Sequence, residues 1–84
     1  LRGHEVYALN SSFDQQMLRV LDQHKDIVLT NQLGKTLHVM TRNSLQEDQL
    51  KTLMQPYIDG EFEFQKTRAN LEEVFIALTQ EKER

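Results

Sequence analysis

Two hydrophobic periods alternate along this chain, and their order limits the folds that it can adopt. Apolar residues recur at every second position in some segments, which is typical of strands, and at every third or fourth position in others, which is typical of helices. The strand-like segments are residues 6–9, 26–32, 36–42 and 61–68. Helical patterns follow the first, third and fourth of these segments. The predicted order is therefore β-α-β-β-α-β-α.

Polar caps and turn residues mark where these elements begin and end. At three places a serine or asparagine is followed three residues later by a glutamine or glutamate, which is the spacing of a capping box. These pairs are Ser12 with Gln15, Ser44 with Glu47, and Asn70 with Glu73. Pro56 disfavours helical geometry at the residue before it, so we expect the second helix to end there. Gly34 predicts a tight hairpin between the second and third strands.

The element order favours the α+β class. Six of the seven elements match the ferredoxin-like βαββαβ sandwich, in which a four-stranded antiparallel sheet carries two helices on one face. The third helix is an addition, which we expect at an edge or end of the sandwich. Nothing in the pattern divides residues 1–84, so we predict a single domain whose polar tail, residues 80–84, frays.

The last helix has an apolar stripe and an acidic first turn. Leu71, Val74, Phe75 and Leu78 lie at i, i+3, i+4 and i+7, and this spacing predicts one face packed on the core. Glu72 and Glu73 complement the positive end of the helix dipole.

The wording of this helix, Leu71-Glu72-Glu73-Val74-Phe75-x-x-Leu78-Thr79, resembles the C-terminal signature of bacterial ABC-transporter ATP-binding subunits of the drug-export type. The strand pair that contains Ile27-Val28-Leu29 and runs from Gly34 to Val39 is also similar to that region. Glu73 stands where the family often has aspartate. The resemblance covers the layout of most of the chain and is specific over residues 71–79.

The resemblance implies that residues 1–84 are a non-catalytic C-terminal accessory domain cut from a longer ATPase chain. The parent would bind ATP and Mg²⁺ in an upstream nucleotide-binding domain. The partners implied are that upstream domain, a second ATPase subunit or a transmembrane permease. The implied location is the cytoplasmic side of the cell membrane, reached through the transporter complex.

Motifs for the ATP chemistry itself are missing from these residues. Gly34-Lys35-Thr36 imitates the end of a P-loop, but Leu29 stands where the motif requires its first glycine. A hairpin turn is the better interpretation. The three histidines have no ligand-like spacing, and there is no cysteine. We therefore predict no catalytic, cofactor-binding or metal-binding residue here.

Four residues are candidates for contact with a partner protein. We expect Tyr7, His38 and Met40 on the open face of the sheet, and Ile76 lies off the apolar stripe of the last helix. The alternative function is a free-standing ferredoxin-like module that binds a small regulatory ligand, which would require a pocket. An RNA-binding module is a more distant alternative. The net charge of −3 argues against nucleic acid, and the chain lacks the apolar run of about 20 residues that spans a membrane.

Overall fold

Within residues 2–82, seven regular elements and one short 3₁₀ turn follow one another in the predicted order. The computed structural model describes the backbone of residues 2–82 and the side chains of residues 2–80. The strands are β1 (His4–Leu9), β2 (Ile27–Leu33), β3 (Thr36–Arg42) and β4 (Phe64–Thr67). The helices are α1 (Gln16–Gln23), α2 (Glu47–Met54) and α3 (Leu71–Lys82), and the 3₁₀ turn spans Gln55–Tyr57.

The four strands form one antiparallel sheet in the order β2-β3-β1-β4. Because β1 and β2 are each antiparallel to β3, they run parallel to one another with β3 between them. Helix α1 connects these two parallel strands, and β4 pairs with the free side of β1. This arrangement is the split βαβ topology of the ferredoxin-like sandwich, as the sequence predicted.

The main core lies between the sheet and helices α1 and α2. Each large apolar side chain that is fully buried there contributes about 1.5–3 kcal/mol. The most deeply buried members are Leu9, Met17, Leu21, Leu37, Val39, Leu50 and Met54. Phe62 is buried beside them, and the ring of Phe64 meets the ring of Tyr7 edge-on at 5.0 Å. Phe62 thus lies in the main core, and the partly buried Phe64 packs against it.

Two of the three predicted capping pairs are wrong. Helix α1 begins only at Gln16, whose N–H donates to Asp14 Oδ1 at 2.9 Å, so Ser12 lies outside it. Helix α2 is capped by Gln46, whose N–H donates to the side-chain oxygen of Gln49 at 2.8 Å. A turn in which Leu45 N–H donates to Arg42 O, at 3.0 Å, leaves Ser44 outside this helix.

The strand predictions are confirmed in order: β3 has the predicted bounds, β2 is shifted by one residue, and β1 and β4 differ in length. Gly34 has a φ of +62° and is the first of the two residues that join β2 to β3, a position that favours glycine in short hairpins. Strand β4 pairs with β1 only over Phe64–Thr67, which is half the predicted segment.

Helix α3 packs on the second face of the sheet, chiefly against the edge strand β2, so the predicted edge position describes only part of its contact. Its Ala77 packs in a second apolar cluster with strand residues that point away from the main core. That cluster consists of Val6, Val28, Leu29, Met40 and Ala77, with Ala69 against it. A sheet that is apolar on both faces needs a layer on each side. The helix also extends to Lys82, so residues 80–82 of the predicted tail are helical.

Candidate functional site

The capping box at the start of α3 forms as predicted. The N–H of Glu73 donates to Asn70 Oδ1 at 2.8 Å, and the N–H of Asn70 donates to Glu73 Oε1 at 3.0 Å. The first helical hydrogen bond, from Val74 N–H to Asn70 O, is 3.0 Å long. These contacts satisfy backbone donors that the first turn of a helix leaves free.

The carboxylate of Glu73 does more than cap the helix, because it is completely buried against the sheet. Asn31 of β2 donates an amide hydrogen to Glu73 Oε2 at 2.7 Å. His38 of β3 donates from Nδ1 to the same oxygen at 3.0 Å, the tautomer that an acceptor-only carboxylate selects. We call Asn31, His38, Asn70 and Glu73 the anchor network. It ties the first turn of α3 to two neighbouring strands.

The anchor network keeps Glu73 ionised. Burial by itself would raise the pKa of Glu73, but the hydrogen bonds from Asn31, the backbone of Asn70 and His38 outweigh it and lower the pKa. A buried carboxylate with this many donors is stabilised in its charged form. The network is therefore an attachment of α3 to the sheet.

Burial of Glu73 fixes which side of α3 faces outward. Successive residues of an α-helix are rotated by about 100°, so Ala77 lies close to the direction of Glu73, and Phe75 points almost the opposite way. Ala77 is fully buried and Val74 is half-buried. Among the described side chains of α3, residues 71–80, the inner side thus carries one carboxylate and small or medium apolar groups, with no large apolar side chain.

The outer side of α3 carries the large apolar groups instead. Leu71 is 88% exposed, Phe75 is 71% exposed and Leu78 is 51% exposed. We call these three residues the outer stripe. The prediction that Leu71, Phe75 and Leu78 pack on the core is wrong, and only Val74 of that set turns partly inward. Charge and hydrogen bonding set the rotation of this helix, since turning the stripe inward would leave the Glu73 carboxylate without its buried donors.

Two other residues of the helix motif remain at the surface. Glu72 is exposed in the first turn, where it complements the helix dipole. Thr79 is also exposed, and its hydroxyl donates back to the carbonyl of Phe75 at 2.9 Å.

Three of the four predicted contact residues are not on an open surface. Tyr7 lies in the main core at 3% exposure, where burial, followed by the charges of Glu5 and Glu47, raises the pKa of its phenol. Met40 is fully buried under α3, and His38 belongs to the anchor network. The prediction of an uncovered sheet face was wrong because it left α3 at an edge. Val6 and Met40 were the sequence signal for a covering layer, since both lie on the face of the strands opposite the main core.

Ile76 is the one predicted contact residue that remains accessible, at 37% exposure. It lies beside Val28 and Leu29, on the side of α3 that is next to the free edge of β2.

The part of the chain that the structure describes offers neither a metal-binding cluster nor a membrane-spanning helix. No cluster of three histidine, aspartate or glutamate side chains that could hold a metal ion is found among these residues. The hydroxyl of Thr41 is buried and has no hydrogen-bond partner among the described residues. None of the described helices is both long enough and apolar enough to cross a membrane.

The fold and the site therefore define a small ferredoxin-like α+β domain with an additional helix, whose apolar outer stripe is exposed. Comparisons with protein-family models, with curated proteins and with solved structures found no match.

Proposed function

We propose that this chain is the C-terminal accessory domain of an ABC-transporter ATP-binding subunit and that it acts by protein interaction. The observation that carries the proposal is the outer stripe. Three large apolar side chains at i, i+4 and i+7 on one helix form the pattern by which helices enter apolar grooves of a partner. Contiguous exposed apolar surface of this kind marks interaction sites in water-soluble domains.

The helix motif supports the same proposal. Leu71, Phe75 and Leu78 are three of the residues by which the segment resembles the ABC family, and they are the large apolar residues of the motif that the fold leaves exposed. Glu73, a fourth, holds the helix in the orientation that presents them. One short motif thus contains both the anchor and the exposed stripe.

The occupant that we propose for the outer stripe is the upstream nucleotide-binding domain of the same chain. Three side chains on a single helix are too few for the roughly 800 Å² per partner that a stable interface between separate molecules needs. A covalently connected domain is present at high effective concentration, and contacts within one chain can therefore be small. Binding and hydrolysis of ATP with Mg²⁺ would take place in that upstream domain, and docking would bias its closure.

A cysteine-labelling experiment tests the proposed docking. The chain has no native cysteine, so Phe75→Cys introduces one thiol into it. Leu33→Cys is the matched control, because Leu33 is also a partly exposed apolar residue, at 43%, but lies on the β2–β3 hairpin. In the full-length parent, with any cysteines outside this chain replaced, we expect the thiol at position 75 to react at least tenfold more slowly than in the isolated domain. The thiol at position 33 should react equally in both.

Equal reactivity at position 75 in both proteins would contradict docking through the outer stripe. The parent should also hydrolyse ATP, and the isolated domain should show no change in its amide spectrum when ATP and Mg²⁺ are added. A parent without ATPase activity, or saturable shifts in one loop of the isolated domain, would overturn the ABC assignment itself and favour a ligand-binding module.

A further inference from the structure

The two edges of the sheet are protected to very different degrees. An edge strand presents unpaired backbone N–H and C=O groups, and proteins usually protect it by short length, charge or proline. Strand β4 has four residues and includes Lys66. Strand β2 has seven residues, Ile27–Leu33, none of which is charged or proline. A bulge between Ile27 and Leu29 disturbs its first part, and the pairing from Leu29 onward is regular.

A groove of about 390 Å³ runs along the free edge of β2. Its floor is formed by residues 27–31. Asp22 of α1 stands on one side, and Ile76 and Gln80 of α3 stand on the other. The edge is therefore open to an extended chain, but only between two helical walls.

The two walls have different chemistry. On the α1 side, Asp22 accepts a hydrogen bond from the Thr30 hydroxyl at 3.2 Å and forms no ion pair with any residue in the described part of the chain. On the α3 side, the partly exposed Ile76 continues the apolar surface of Val28 and Leu29. Successive side chains of a strand point to opposite faces, so a strand in this groove would meet the acidic wall and the apolar wall in turn.

We propose that the free edge of β2 binds an extended peptide segment of another protein, which adds a fifth strand to the sheet and alternates basic with apolar side chains. Main-chain hydrogen bonds to the unpaired groups of β2 would supply affinity, and the two walls would supply the sequence preference. A basic side chain would face Asp22, and an apolar one would contact Ile76.

Charge disfavours a second copy of this chain as the occupant. Pairing β2 with its own copy would bring two Asp22 side chains to one junction, while β2 itself supplies no basic residue to either. Like charges placed close together oppose association. The site is also separate from the outer stripe, so it does not depend on the proposed docking to an upstream domain.

Titration of the isotope-labelled 84-residue chain with synthetic peptides tests the proposal. The probe is an acetylated, amidated seven-residue peptide that alternates valine and lysine. We expect saturable amide shifts along β2 and at Ile76, together with slower amide exchange in β2.

The main control is the same peptide with alternate backbone nitrogens methylated. Methylation keeps the side chains but removes the hydrogen-bond donors along one edge of the peptide. If the methylated edge faces β2, the affinity should fall about tenfold or more; the peptide methylated at the other alternate positions should bind normally.

A substitution checks the charge preference. Asp22→Asn should weaken the lysine peptide about threefold, the size of a partly exposed ion pair, and should leave a peptide with glutamine in place of lysine unchanged. Asp48→Asn on the exposed surface of α2 is the matched control and should have no effect.

Three outcomes would overturn the proposal. The first is that both methylated peptides bind as tightly as the unmethylated peptide. The second is that amide shifts are confined to the outer stripe. The third is that amide shifts along β2 depend on the concentration of the chain itself, without peptide. The last of these would assign the edge to a second copy of the chain.

Discussion

At the scale of single residues, Glu73 determines how the C-terminal part of the chain is arranged. Its carboxylate is fully buried and accepts hydrogen bonds from the backbone N–H of Asn70, the side-chain amide of Asn31 and the ring of His38. A buried charge is stabilising only when its partners are all in place, and removing one partner leaves the others unsatisfied. The side chain is therefore a position at which a small chemical change has a large structural effect.

The lowered pKa of Glu73 predicts a pH-dependent contribution to folding. Because the pKa is lower in the folded than in the unfolded chain, the contribution is complete above the ordinary value of 4.5 and is lost as the pH falls through the folded-state pKa. We expect Glu73→Gln to reduce the free energy of unfolding by about 2 kcal/mol at pH 7, since charge-assisted hydrogen bonds are lost. The difference from wild type, measured by urea denaturation, should shrink as the pH falls below 4.5.

The neighbouring residue supplies the control for this measurement. Glu72→Gln changes an exposed carboxylate in the same helical turn and should leave both stability and its pH dependence nearly as they are in wild type. A Glu73→Gln variant with the full wild-type pH dependence would show that Glu73 is not held ionised by the anchor network.

The two phenylalanines Phe75 and Phe62 should respond very differently to truncation. Phe75 is 71% exposed in the outer stripe, whereas Phe62 is 4% exposed in the main core. We expect Phe62→Ala to cost about 3–5 kcal/mol, because it removes a buried ring, and Phe75→Ala to cost less than about 1 kcal/mol. Chemical denaturation of the isolated domain measures both. Similar losses for the two variants would place Phe75 in a core and contradict the rotation of α3.

At the scale of elements, helix α3 turns its large apolar side chains toward water and a carboxylate toward the sheet. Most surface helices turn the larger apolar side chains toward the core and polar ones toward water. Helix α3 instead turns Glu73 and Ala77 toward the sheet and Leu71, Phe75 and Leu78 outward. The inner side of α3 contacts the second face of the sheet, and its outer side would contact the proposed partner.

Removal of α3 should therefore expose the sheet. A chain that ends at Ala69 keeps the main core but uncovers Val6, Val28, Leu29 and Met40. We expect it to bind the dye ANS and to self-associate in sedimentation velocity, since contiguous apolar patches promote association.

The matched control keeps the helix and removes only its outer stripe. A variant with Leu71→Gln, Phe75→Gln and Leu78→Gln together retains Glu73 and Ala77, so it should not self-associate more than wild type and should bind less dye. If the shortened chain behaved like this variant, the second apolar cluster would not need α3 as a cover.

At the scale of the whole molecule, the chain forms three layers from only 84 residues. Its radius of gyration is 12.2 Å, close to the roughly 12 Å of a compact chain of this length. A hydrophobic content of 38% is sufficient because the sheet is shared by two apolar clusters, one on each face. Two surfaces stay uncovered by the three layers. The free edge of β2 exposes backbone groups, and the outer stripe exposes apolar side chains.

The local pattern of the sequence determined the order of the elements, the hairpin at Gly34 and the capping box of Asn70 and Glu73. Each of these depends on neighbouring residues, whose geometry is the same in any fold. The predicted helix caps at Ser12 and Ser44 were wrong, because several polar residues in each loop could act as the cap. Residue type alone does not choose among them.

Only the tertiary structure decided which face α3 covers and which of its sides points inward. Leu71, Phe75 and Leu78 have the same spacing whether they face a core or water, so periodicity could not place them. The decision came from Asn31 and His38, which lie 42 and 35 positions from Glu73 in sequence and meet its carboxylate only once the sheet has formed. Satisfying one buried charge outweighed the burial of three apolar side chains, and that balance depends on contacts that no local pattern encodes.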